Sequence, residues 1–181
     1  IRQGNPGYDV AFPGDYAISV MIREGLIQAL DYSKIPNYAN VDDRYKGLTF
    51  DPNNEYTVPY LWGTFGALYN TDVYGDEITS WEQIWTFPGR IGWTDDQRSI
   101  LGIVLNQLGY DPNSTDENEL YEALDVLLGY GTSGNLVHIS DDVTPLFVRG
   151  DLDLVLAYSG DAFQRIIECE CTNFKYVIPA E

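Results

Sequence analysis

Residues 51–70 read DPNNEYTVPYLWGTFGALYN, and the rest of the chain is arranged around them. A polar turn, Asp51-Pro52-Asn53-Asn54, feeds an aromatic run of β character over 56–62. Gly63 interrupts that run, and a second one, 64–69, follows. Two short strands meeting at a glycine, rich in Tyr and Trp, suit a buried crossing between two lobes. A core hairpin is the plainer reading of the same pattern. On either side, short apolar runs alternate with amphipathic stretches, which is the rhythm of an α/β fold.

Upstream, 8–13 (YDVAFP) reads as a short buried strand ending at a Pro-Gly turn. Asp15 then stands as the N-cap of a helix to about Arg23, with Gly25 as its stop. Residues 36–46 read as a helical turn on the surface. Downstream, Ser80 with Gln83 is a capping-box pattern for a short helix that Pro88-Gly89 ends. Residues 90–94 (RIGWT) form a strand. Asp95 or Asp96 caps the next helix, whose apolar face is Ile100, Leu101, Val104, Leu105 and Leu108. A further amphipathic helix starts near Asp116, with Leu120, Leu124, Leu127 and Leu128 on its stripe, and runs into a glycine-rich loop at 129–134. A strand at 136–139 and a short helix at 142–149 follow. Residues 152–158 are a clear strand with Leu152, Leu154 and Leu156 inward. Ser159-Gly160-Asp161 opens the next helix, and 174–178 is the last strand.

The 181 residues suffice for one domain or two small lobes, and 44% hydrophobic content suits a globular chain. No apolar run approaches the ~20 residues of a membrane helix. The chain opens at Ile1, without Met or a leader pattern, as a processed or excised segment would. Twenty-eight acidic against ten basic side chains give a net charge of -18. Phosphates would be repelled, so nucleic acid is not an expected partner. Cationic partners would be concentrated, although solubility accounts for most of such a charge. Cys169 and Cys171 stand as C-E-C; a bridge between them closes a tiny ring, so free or loosely paired thiols are expected. His138 is the single histidine and reads as a structural strand residue, so no zinc site is expected. Asp111, Asn113, Thr115 and Glu122 match several calcium-loop positions, but Asp116 occupies the place of the required glycine. Neither a metal nor a cofactor is expected.

Open α/β sheets bind ligands at the carboxyl ends of their strands. Three strand-to-helix junctions therefore carry the candidate site: Asp15 with Tyr16, Asp96, and Tyr158 with Asp161. Each acid could simply cap a helix, and each ring could be core. At the second junction Asp95 could supply the cap and leave Asp96 for a ligand. An aromatic wall beside a carboxylate suits an alkyl-ammonium ligand: the carboxylate pairs the cation and the ring covers the methylenes. Paired carboxylates with aromatic rings could also describe a glycosidase cleft. No nucleophile elbow or metal triad accompanies them.

Several of these segments, in this order, resemble the bacterial spermidine/putrescine-binding proteins, the receptor subunits of polyamine ABC importers. YDVAFPGDY resembles the family's Y-D-x-x-x-P-S-x-Y, and DPNNEYTVPYLWG its hinge strand. SWEQIW resembles S-W-x-x-L-W, and TDDQR resembles T-D-D-x-R. RGDLDLVLAYSGDAF resembles the G-x-x-x-L-x-x-x-W-x-G-x-A-F block, and YVIPAE the returning hinge strand. The resemblance implies a type II periplasmic-binding-protein fold of two lobes. This segment would be part of the first lobe (1–59), the second lobe (60–173) and the returning strand (174–181). It implies that Tyr16, Asp96, Tyr158 and Asp161 line a cleft for spermidine or putrescine, without catalysis, and Asp15 stays a ligand candidate from its junction alone. The partner would be an ABC permease, met outside the cytoplasm in the periplasm or at the outer face of the cell membrane. Gly14, Ser99 and Tyr158 depart from the family's usual Ser, acid and Trp, which leaves the choice of polyamine, or another small solute, open. Family members extend at both ends, so the segment alone is expected to bind weakly or not at all.

Overall fold

The computed structural model describes residues 4, 7–75, 77–132 and 134–180. Glu181, the end of the expected returning strand, and Ser133, within the expected glycine loop, lie outside the described residues. The chain divides into two compact units, Ile1–Trp62 and Gly63–Glu181.

The first unit holds helix α1 (Asp15–Arg23) and three 3-10 turns, Tyr32–Lys34, Pro36–Asn40 and Asp43–Tyr45. Gly14, not Asp15, is the N-cap of α1: its carbonyl accepts from the amides of Ala17 and Ile18, each at 3.1 Å. The expected strand at 8–13 does not form; Tyr8, Val10 and Phe12 are exposed, and no strand among the described residues offers them a ladder. The first strand of the expected hairpin, 56–62, is also absent. Its leading amides are taken by Asp51, whose carboxylate accepts from Glu55 N (2.9 Å), Tyr56 N (3.0 Å), Thr57 N (2.9 Å) and Thr57 Oγ1 (2.9 Å). Asp51 is 3% exposed and is the one buried side chain among the described residues of this unit.

The second unit is built on a five-stranded sheet: β1 (Phe65–Asn70), β2 (Ile91–Thr94), β3 (Leu136–Ser140), β4 (Leu154–Tyr158) and β5 (Phe174–Val177), in the order β3-β2-β4-β1-β5. β2 runs parallel to β3 and β4, whereas β1 runs antiparallel to β4 and β5. Helices α2 (Trp81–Trp85), α3 (Gln97–Gln107), α4 (Glu117–Gly131), α5 (Thr144–Val148) and α6 (Ser159–Cys169) connect the strands.

β4 lies at the centre and is buried on both faces. Leu154 and Leu156 join one core with Trp81, Trp85, Trp93, Ile100, Val104 and Leu105. Val155 and Ala157 join a second core with Leu68, Val143, Phe147 and Ala162. Leu152 belongs to this second core, so the expected alternation of Leu152, Leu154 and Leu156 on one face fails. Both faces are covered by helices, which makes the strand uniformly apolar.

Several helix signals hold. Ser80 and Gln83 form the expected capping box on α2. Ile100, Val104 and Leu105 of α3 are buried, with Leu101 and Leu108 packed beside them. Asp116 caps α4 through the amides of Asn118 and Glu119. The α4 stripe is rotated from expectation: Leu120, Ala123, Leu127 and Tyr130 face the core, while Leu124 and Leu128 are exposed. The Tyr130 ring stacks on Trp85 at 5.1 Å and draws that face inward, so the helix continues through Gly131 where a loop is expected. Cys169 and Cys171 are bridged rather than free, with their Cα atoms 5.1 Å apart. Glu170 between them is the left-handed C-cap of α6 (φ 54) and turns the chain so that the two Cα atoms reach bonding range.

Gly66 shows what the sheet demands of its sequence. A Cβ there would lie 2.4 Å from the Val177 carbonyl oxygen and 2.9 Å from the Tyr176 ring. That carbonyl belongs to the paired strand β5 and cannot swing aside. We expect Gly66→Ala to cost about 2 to 3 kcal/mol of stability, read as a lower denaturation midpoint at unchanged slope.

Candidate functional site

Parallel pairing of β2 with β4 places their carboxyl ends side by side, with Ile91 opposite Leu154 and Trp93 opposite Leu156. Arg90 fixes this pairing at the opposite ends of the strands. Its Nε and Nη2 donate to Asp153 at 2.9 and 3.0 Å, and its amide at 2.8 Å. That fork holds the Asp153 carboxyl below its ordinary range, outweighing burial, which acts against it. At the carboxyl ends, Thr94 Oγ1 donates to the Leu156 carbonyl at 2.9 Å. Helices α3 and α6 start immediately beyond, so Asp96 and Tyr158 are brought together.

Asp96 is the N-cap of α3, and the inference that Asp95 caps and frees Asp96 is reversed. Asp96 Oδ1 accepts from Ser99 N at 3.1 Å, and Oδ2 accepts from Ser99 Oγ at 2.7 Å and from the Tyr158 hydroxyl. Burial pushes the Asp96 carboxyl up, but hydrogen bonds from Tyr158, from the Ser99 hydroxyl and amide, and from the Arg98 amide together outweigh it. The carboxyl is held below its ordinary value of 3.8. The Tyr158 ring meets Phe65 edge-on at 5.1 Å, as their opposite register positions require, and is 38% exposed. The Asp96 carboxylate and the partly exposed Tyr158 ring thus stand in contact.

Asp161 lies in the first turn of α6, exposed, and none of the described residues donates to it. Ser159, which begins that helix, accepts from Thr64 N at 3.2 Å through its hydroxyl. Asp15 and Tyr16 belong to the first unit. Both are exposed, and Asp15 Oδ1 accepts the Tyr16 amide at 2.7 Å. Because 8–13 is not a strand, their junction is loop to helix. Ser99 is the site residue that the sequence did not single out as a partner of Asp96. The D-x-x-S spacing at a helix start carries that signal, since the third residue of the first turn faces the cap. Among the described residues no cluster of His, Cys, Asp and Glu is gathered for a metal, and no helix is long and apolar enough to cross a membrane.

The sequence profile of the family described as bacterial extracellular solute-binding protein matches residues 1–181. The spermidine/putrescine-binding periplasmic protein of Salmonella typhimurium is 35% identical over 162 residues, 86% of this chain and 45% of that protein. The spermidine/putrescine-binding periplasmic protein 1 of Haemophilus influenzae is 33% identical over 178 residues, 97% of this chain and 49% of that protein. The chain spans about half the length of the curated relatives it matches. Among solved structures, the spermidine/putrescine ABC transporter substrate-binding protein PotD of Streptococcus pneumoniae aligns with a TM-score of 0.75 at 34% identity, covering 98% of this chain and 55% of that one. The chain belongs to the bacterial extracellular solute-binding protein family and has the α/β fold of type II periplasmic binding proteins.

Proposed function

We propose that the protein is the substrate-binding component of an ABC importer for polyamines, spermidine or putrescine, acting outside the cytoplasm and delivering its ligand to a membrane permease. The observation that carries this reading is the Asp96 carboxylate, held ionised beside the Tyr158 ring. An ammonium would pair with the carboxylate while the ring covers the adjoining methylenes. Asp161, exposed at the next helix start, supplies a second negative charge; in the first unit Tyr16 is a proposed contact on the sequence resemblance and Asp15 on its place beside it. The lobe limits of 1–59, 60–173 and 174–181 are proposed on the same ground. The net charge of -18 would concentrate a polycation around the protein.

The same carboxylate suits a cation anchor better than the general acid of a glycosidase. A glycosidase acid has to keep its proton near neutrality, whereas the donors around Asp96 favour its ionised form. Calorimetric titration of the full-length chain with putrescine and spermidine tests the proposal. Saturable binding of at least one amine is expected. A folded protein that takes up neither would overturn it.

A further inference from the structure

The far end of α6 carries a second chemistry. Between α5 and α6 lies a cavity of about 360 Å3, lined by Pro145, Val148 and Arg149 on one side and by Arg165, Glu168 and Cys169 on the other. The length of α6, roughly 15 Å, separates Cys169 from Tyr158. The polar lining has both signs. Arg149 donates to Asp151 through Nε at 3.0 Å and Nη2 at 2.8 Å, which leaves its Nη1 without a partner among the described residues. Arg165 is tied to Glu168 at 3.0 Å and to the Thr144 hydroxyl at 3.2 Å.

The bridge from Cys169 to Cys171 has little besides the bond itself to keep it closed. Chain entropy favours a disulfide in proportion to the loop it encloses, and this one encloses a single residue. That residue, Glu170, sits at φ 54, where a side chain is disfavoured. The chain beyond is fastened independently. Asn173 Nδ2 donates to Asp72 at 2.6 Å, and the Asn173 carbonyl accepts from Thr71 N at 2.8 Å. Opening the bridge would release residues 170–172 and leave β5 paired. Both cysteines are half-buried, and of the two only Cys169 lines the cavity.

We propose that Cys169–Cys171 is a thiol–disulfide exchange site, and that the cavity seats a small zwitterionic thiol of the amino-acid type against Cys169. The proposal is independent of the polyamine reading. Arg149 Nη1 would take the carboxylate of the thiol and Glu168 its ammonium, with Pro145 and Val148 against its carbon chain. The incoming thiolate forms a bond to the Cys169 sulfur, the Cys169–Cys171 bond breaks, and Cys171 leaves as a thiolate that takes a proton from water. A second small thiol attacks the first at its sulfur, and Cys169 leaves in the same way. The two small thiols end as their own disulfide, oxidised by the two electrons that reduce the protein bridge.

The test has two arms on the folded full-length chain, with the state of Cys169 and Cys171 read by alkylation and peptide mass. Dithiothreitol without denaturant is expected to convert both to thiols. A bridge that opens only after unfolding overturns the proposal. The rate of opening is then followed with free cysteine and with cysteamine, which lacks the carboxylate, in the unsubstituted chain and in Arg149→Gln. Opening by cysteine is expected to slow about three- to fivefold in the variant, the scale of one exposed ion pair, and opening by cysteamine is expected not to slow. A bridge that is merely exposed predicts no such difference. Equal rates with cysteine in the two proteins, or equal slowing with both thiols, overturn the seat assigned to the cavity.

Discussion

Asp96→Asn is expected to lower the affinity for putrescine and spermidine by about 2 to 4 kcal/mol, roughly 30- to 1000-fold, while the protein stays folded. Asparagine keeps an oxygen for the Ser99 amide, so the α3 cap survives, and its NH2 can donate to the Tyr158 oxygen. What is lost is the charge, in a position its hydrogen-bond donors have fixed. Asp161→Asn is expected to cost less, about tenfold. Its carboxylate is exposed and no described residue holds it, so part of its attraction goes into ordering the side chain. A larger loss from Asp161→Asn than from Asp96→Asn would reverse this ranking of the two acids. The pH profile carries the same information. A folded pKa below the ordinary 3.8 means that Asp96 favours the folded chain above that value, and the contribution disappears as pH falls through the lower folded pKa. Protonation of Asp96 therefore sets in below its ordinary range, and ligand affinity between about pH 5 and 7 is expected to owe no change to it. A midpoint for Asp96 near neutrality, by carboxyl carbon-13 titration, would remove the anchor assigned here.

Much of the second unit was legible in the sequence because its signals are local. Ser80 and Gln83 satisfy each other's amides within one turn, and Asp116 caps α4 without help from elsewhere. The junctions at Asp96 and Tyr158 were equally visible, since a strand that runs into a helix start needs only its own residues. What escaped depends on partners far along the chain. Leu124 and Leu127 are alike as letters, and only the stacking of Tyr130 on Trp85 decides which of them turns inward. Leu152 reads as the first inward residue of β4 until the sheet is seen to be covered on both sides. The bond from Tyr158 to Asp96 needs β2 beside β4 in parallel, a tertiary fact that no window of sequence contains. At 56–62 propensity pointed to a strand, and a side chain five residues upstream of Tyr56 took the amides that the strand would have used.

That side chain supports the second large effect. Asp51→Ala is expected to cost about 3 to 5 kcal/mol in the first unit, because three backbone amides and the Thr57 hydroxyl lose their acceptor together. Water can reach the opened turn and recover part of this, which keeps the figure below a sum of four separate bonds. Little else restrains the segment. Leu30 N donates to the Glu55 carbonyl at 2.8 Å and the Tyr32 hydroxyl to the Thr57 carbonyl at 3.0 Å, yet no apolar side chain is fully buried among the described residues of this unit. The loss should therefore appear as local opening before global unfolding. Amide exchange at Glu55, Tyr56 and Thr57 is expected to accelerate by about 100-fold or more, while the amides of β4 keep their protection. Asp51→Asn should fall between the two, since its carboxamide retains one acceptor oxygen but turns an NH2 toward amides that also donate. Exchange at these three positions that stays at the unsubstituted rate in Asp51→Ala would mean the aromatic run holds its own course. The polar turn at 51–54 would then be a consequence of the fold and not one of its causes.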